Sequence, residues 1–100
     1  MNEDELERLN AILERYGMNL ISVVWILRIR DNPNCKITDI AKNRLDGNNI
    51  RVSLRSRSLS DFVDVKVGEN VGKGRPPFLL NLNKRGLNIC ADLDNLIKRG

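Results

Sequence analysis

The spacing of apolar residues changes from helical to alternating at Val63. Val63, Val65 and Val67 alternate with Asp64 and Lys66, and Phe78, Leu80 and Leu82 alternate with Leu79, Asn81 and Asn83. A period of two marks strands, whose successive side chains point to opposite faces. The segment between the two runs, Gly68 to Pro77, is rich in Gly and Pro, so the pair reads as a β-hairpin. Its ten-residue loop is longer than a turn requires and carries Lys73 and Arg75 near the tip.

The remainder reads as helices. Leu6, Leu9, Leu13 and Tyr16 form one stripe of a helix over 3–16, with acids in its first turn and Gly17 suited to end it. Asn19 can cap a second helix running to Arg30 that is apolar on nearly every face, so it is expected to be central, with Trp25 in the core. Asp31-Asn32-Pro33-Asn34 is a turn. Thr38 suits the cap of a short helix to Leu45, with Ile40, Ala41 and Leu45 facing inward. Asp46-Gly47-Asn48-Asn49 is the next expected break, with Gly47 free to take a positive φ. Asn48 or Asn49 then caps a basic helix to Leu59, and Asn83 caps a last helix from Lys84 to Lys98. Leu87, Cys90, Leu93 and Ile97 make a second apolar seam there. A short helix, a break and a basic helix form a helix-turn-helix, and the hairpin after it is a wing. The expected class is therefore α+β, mainly α. One domain fills residues 1–100: an N-terminal helix in 1–17, helix-turn-helix plus wing in 19–83, and a C-terminal helix in 84–100.

A domain of 100 residues has a thin stability margin, which oligomerisation often supplements. The two cysteines, Cys35 and Cys90, form no CxxC pair, and there is no histidine. A zinc site needs about four thiolate or imidazole ligands, so no metal and no cofactor is expected. Lacking the usual general base near neutral pH, and lacking paired carboxylates, the chain is not expected to be an enzyme. Gly68, Gly72, Lys73 and Gly74 resemble a phosphate loop only superficially. Three residues separate the first two glycines where that motif needs four, and no Ser or Thr follows the lysine.

Charge is unevenly distributed. Residues 1–16 carry five acids against two bases, and residues 17–91 carry thirteen bases against six acids. A basic middle of this kind points to nucleic acid. The acidic N-terminus is unlike a secretory signal, and the apolar stretch from Leu20 to Ile29 is shorter than the roughly 20 residues a membrane span needs. A cytoplasmic location is expected, where unpaired cysteines also fit.

Three stretches resemble winged-helix transcriptional regulators of the MarR and PadR type. Ile37-Thr38-Asp39-Ile40-Ala41 resembles the entry to their first motif helix. Leu59-Ser60-Asp61-Phe62-Val63 resembles the passage from recognition helix to wing strand. Arg75 to Gly86 resembles the descending wing strand and the start of the C-terminal helix, with Leu82-Asn83 and Arg85-Gly86 where the family usually has Leu-Thr and Lys-Gly. Phe62 stands near a position where the family often has Gly. The resemblance spans roughly residues 19–98. It implies a regulator that binds double-stranded DNA. The acidic first helix also suits archaeal plasmid segregation proteins of similar size.

In such a protein the recognition helix lies in the major groove, where Arg pairs with guanine. The expected contacts are Arg51, Ser53, Arg55 and Arg57, with Arg51 and Arg55 sharing one surface. Lys73 and Arg75 on the wing are expected to follow the backbone or enter the minor groove. Lys42, Arg44 and Asn49 are expected phosphate contacts. The two seams (Leu6, Leu9, Leu13, Tyr16 with Leu87, Cys90, Leu93, Ile97) are expected to join two copies across a twofold axis, although either could simply cover one domain's core. Two other functions fit the same residues: a segregation or architectural protein that spreads along DNA, and a winged helix that contacts protein. No effector pocket is evident in the sequence.

Overall fold

The computed structural model describes residues 2–68, 72 and 77–99, apart from the side chains of 57, 58 and 97–99. The order is α1 (Glu3–Tyr16), α2 (Leu20–Asp31), α3 (Ile37–Ile40), α4 (Arg44–Arg55), α5 (Arg57–Ser60), β1 (Val63–Val67), β2 (Phe78–Leu82) and α6 (Lys84–Arg99). The fold is mainly helical, with one antiparallel hairpin that pairs Val63 with Leu82 and Val67 with Phe78.

Local chemistry sets the long helices. Asn2 Oδ1 accepts from Glu5 N at the head of α1, and Gly17 closes it in the left-handed region at φ 66°. Asn19 Oδ1 accepts from the amide and hydroxyl of Ser22, and Asn83 Oδ1 accepts from Gly86 N, so both expected caps form. Gly86 is needed for a close approach. A Cβ there would lie 2.4 Å from the carbonyl oxygen of Phe62, where the chain passes from α5 to β1.

Trp25, Ile26 and Ile29 of α2 sit in the core with Ile50, Leu59, Phe62, Leu80, Ile89, Cys90 and Leu93. Helix α2 is less enclosed than its composition suggests. Its first turn leaves Leu20 and Ile21 exposed, because nothing among the described residues covers them. Helix α1 buries no residue fully; Leu9, Ile12, Leu13 and Tyr16 pack half-buried on the core, against α6. Tyr16 Oη donates to Asp92 Oδ2 at 2.6 Å and its ring meets Phe62 edge to face at 6.1 Å. The guanidinium of Arg85 lies 5.3 Å from the Phe62 ring centre, in reach of a cation–π contact.

One link was not expected from the sequence. Cys35 bridges Leu80 beside the hairpin, with Leu80 N donating to Cys35 O at 2.8 Å. Asn34 and Asn81 lock it: Asn34 N donates to Asn81 Oδ1, and Asn81 Nδ2 returns a bond to Asn34 Oδ1. The turn before α3 is thereby tied to the wing. Cys35 and Cys90 are free and buried, and burial pushes both thiols up.

Candidate nucleic-acid interface

The structure corrects the boundaries of the two motif helices. Helix α3 is one turn, Ile37–Ile40, and Thr38 lies within it instead of capping it. The carboxylate of Asp39 performs the capping by accepting from Lys36 N at 2.9 Å. Ala41 is extended, and Asn43 caps α4 by accepting from Asp46 N at 2.8 Å. The break therefore falls at 41–43, and Asp46, Gly47, Asn48 and Asn49 are helical.

Asp46 fixes this register. Its carboxylate accepts from Lys42 N at 2.8 Å and from the indole of Trp25 at 3.0 Å, and Arg28 lies 3.6 Å away. The Lys42 amide, chiefly, holds the carboxyl below the usual carboxylate range, with Trp25 and Arg28 adding to it against an opposing effect of burial. Gly47 takes no positive φ; it is buried where α4 crosses α3, with room for a Cβ 3.6 Å from that of Ala41. Leu45, expected to face inward, is 69% exposed because the new register turns it outward. The far end is corrected as well. Ser56 is extended and divides the expected basic helix into α4 and the one-turn α5.

Helix α4 buries Gly47 and Ile50 and half-buries Leu54, leaving Arg44, Leu45, Asn48, Asn49, Arg51, Val52 and Arg55 exposed. At about 100° per residue, Arg44, Arg51 and Arg55 fall within one narrow sector, with Asn48 beside it. Arg51 Nη1 donates to Asn48 Oδ1 at 3.3 Å. None of these three arginines is ion-paired with a carboxylate among the described residues. Arg44 is the first residue of α4, where the helix dipole disfavours a cation, so its position gives no stability that would explain it.

The expected contacts divide accordingly. Arg51 and Arg55 share one groove with Lys36, Thr38 and Phe78, between α4, the start of α3 and the base of the wing. Arg44 belongs to α4 and Lys42 to the preceding turn, not to the first motif helix, and both are exposed. Asn49 is exposed within α4 and caps nothing. Ser53 is half-buried and points about 160° away from Arg51. Arg57 begins α5, and its side chain lies outside the described residues, as do Lys73 and Arg75 entirely. Sequence reasoning missed Lys36, Thr38, Leu45, Asn48 and Val52. The Asn43-x-x-Asp46 spacing was the signal that could have placed Leu45 and Asn48 on the helix of Arg51, because it marks a helix start.

The expected dimer residues are also divided. Cys90 and Leu93 are buried within the chain itself, and Leu9, Leu13 and Tyr16 are partly buried there. Leu6 and Leu87 are exposed, and the side chain of Ile97 lies outside the described residues. Among the described residues, no group of three His, Cys, Asp or Glu could hold a metal, and no helix is long and apolar enough to cross a membrane.

This arrangement, a one-turn helix, a short turn, a second helix and a two-stranded hairpin, is a winged helix-turn-helix. The crystal structure of MarR has the same fold, with a TM-score of 0.65 over 92% of this chain at 16% sequence identity. The chain spans 66% of that MarR chain, just under two thirds. No family model matches the sequence, and no curated protein matches it.

Proposed function

We propose that the protein binds double-stranded DNA as a homodimer and regulates transcription, without catalysing a reaction. Helix α4 enters the major groove, and the wing, with Lys73 and Arg75, lies on the backbone or in the minor groove. The observation that carries this reading is the cluster of Arg44, Arg51 and Arg55, exposed and without an ion pair among the described residues, on the second helix of a helix-turn-helix. Neutralising phosphates and releasing their counterions gives such residues their affinity. The corrected register puts Arg44 and Asn48 in the N-terminal half of the recognition helix, the part that lies nearest the bases. Lys36, Lys42 and Arg57 act as phosphate contacts that fix orientation. Among the described side chains of the two seams, Leu6 and Leu87 are exposed and contribute to the dimer. A twofold dimer would place its recognition helices about 34 Å apart, reading two half-sites one turn apart.

The test is binding of labelled duplex DNA across a range of salt concentrations, comparing wild type with Arg51→Ala/Arg55→Ala. The expected result is a steep fall in affinity with salt, and a shallower slope in the double variant by about two counterions. A footprint that lengthens with protein concentration would replace regulation by spreading. No binding at low salt would refute the DNA reading.

A further inference from the structure

Helix α4 carries two bare apolar side chains on the surface assigned to DNA. Leu45 is 69% exposed and Val52 is 64% exposed. They are seven residues apart, which sets them on one stripe, about 20° from alignment and roughly 10 Å apart along the axis. That stripe borders the sector of Arg44, Asn48 and Arg55, and the opposite side of the helix is spent on the core through Gly47 and Ile50. One helix face thus presents guanidinium, amide and aliphatic groups to the same partner. The major-groove edge of DNA offers a match to each: guanine O6 and N7 for Arg, adenine N6 and N7 for Asn, and the thymine methyl for an aliphatic side chain. An apolar protein partner would fit Leu45 and Val52 but would strand the arginines beside them, whose charge calls for a polyanion.

We propose that Leu45 and Val52 determine specificity by packing against thymine C5-methyl groups of the half-site. The inference rests on the reading that α4 enters the major groove. Leu45, in the first turn, meets the base edges at the end of the helix closest to them, and Val52 meets them two turns further on.

The test separates the two readings. A duplex is selected by the protein from a random-sequence pool, then resynthesised with deoxyuridine in place of thymidine. That change keeps the charge and every hydrogen-bonding edge and removes only the methyl groups. Wild type is expected to lose about fourfold in affinity for each methyl it contacts, from the value of burying one such group. Leu45→Ala/Val52→Ala is expected to bind thymine and uracil duplexes equally while keeping the wild-type salt slope. Both residues are exposed, so the variant should retain the wild-type circular dichroism spectrum and melting temperature to within about 3 °C. Equal binding of the two duplexes by wild type, with the salt slope intact, would overturn this inference and leave the DNA reading standing. Persistent discrimination in the double variant would overturn it too. Failure of wild type to bind any duplex, with binding to an acidic apolar protein surface instead, would overturn both.

Discussion

Removing the carboxylate of Asp46 should unfasten the start of α4. Asp46→Ala leaves Lys42 N and the indole N–H of Trp25 without their acceptor, and Trp25 is buried. Losing the interaction that closes the first turn of α4 costs about 1 kcal/mol. A buried donor left unsatisfied costs about 1–3 kcal/mol. Arg28 keeps its bond to Ile40 O, at 2.8 Å, so its charge is not stranded. The combined loss is about 2–4 kcal/mol, a large share of the roughly 5–15 kcal/mol typical of a domain. Urea unfolding followed by the fluorescence of Trp25, the chain's single tryptophan, should show the midpoint falling by roughly 1–3 M with little change in slope. Asp46→Asn should lose about half as much. Its oxygen can serve one donor, while its amide nitrogen then faces the other. An Asp46→Ala protein within about 0.5 kcal/mol of wild type would refute the claim that this carboxylate sets the register of α4.

The same carboxylate predicts a pH dependence. Because folding lowers the Asp46 pKa, its contribution is fully present above the unfolded value of about 3.9 and is lost as pH falls through the folded value. The stability gap between wild type and Asp46→Asn should therefore close as urea titrations are moved from pH 6 to strongly acidic conditions. Two glycine substitutions should have opposite signs in thermal melts. Gly86→Ala drives a Cβ to within 2.4 Å of a carbonyl oxygen and should cost about 1–3 kcal/mol, while Gly47→Ala fits at 3.6 Å in a helix interior and should add about 0.5–1 kcal/mol. Tyr16→Phe keeps the edge-to-face contact with Phe62 and loses the bond to Asp92, for a cost of about 0.5–1.5 kcal/mol in urea unfolding.

The parts of the fold that the sequence made legible are those decided locally. Gly17, Asn19 and Asn83 sit where the apolar period starts or stops, and the structure uses each as a cap or terminator. The alternating valines pair antiparallel with the run from Phe78 to Leu82, the hairpin that the period of two implied. The motif itself was less legible because two local signals conflict there. Asp46-Gly47-Asn48-Asn49 is a turn by propensity, whereas Asn43-x-x-Asp46 is a helix start by capping chemistry. Trp25 and Arg28, about twenty residues upstream, decide between them by anchoring Asp46, and that contact has no trace in the local sequence. The consequence for the site is large. Arg51 and Arg55 keep their place, Arg44 joins them, and Leu45 and Asn48 come to the surface of the same helix. The bridge from Cys35 to Leu80 is one residue long and carries no periodic signal.

On the proposed function, α4 is the surface that meets duplex DNA. Amide chemical shifts of the ¹⁵N-labelled protein, followed while a short duplex is titrated in at low salt, test it residue by residue. The predicted result is a set of perturbations concentrated from Lys36 to Arg55 and on the wing, with α1 changing little. Perturbations centred on α1 and α6, or none in α4 at saturation, would contradict it.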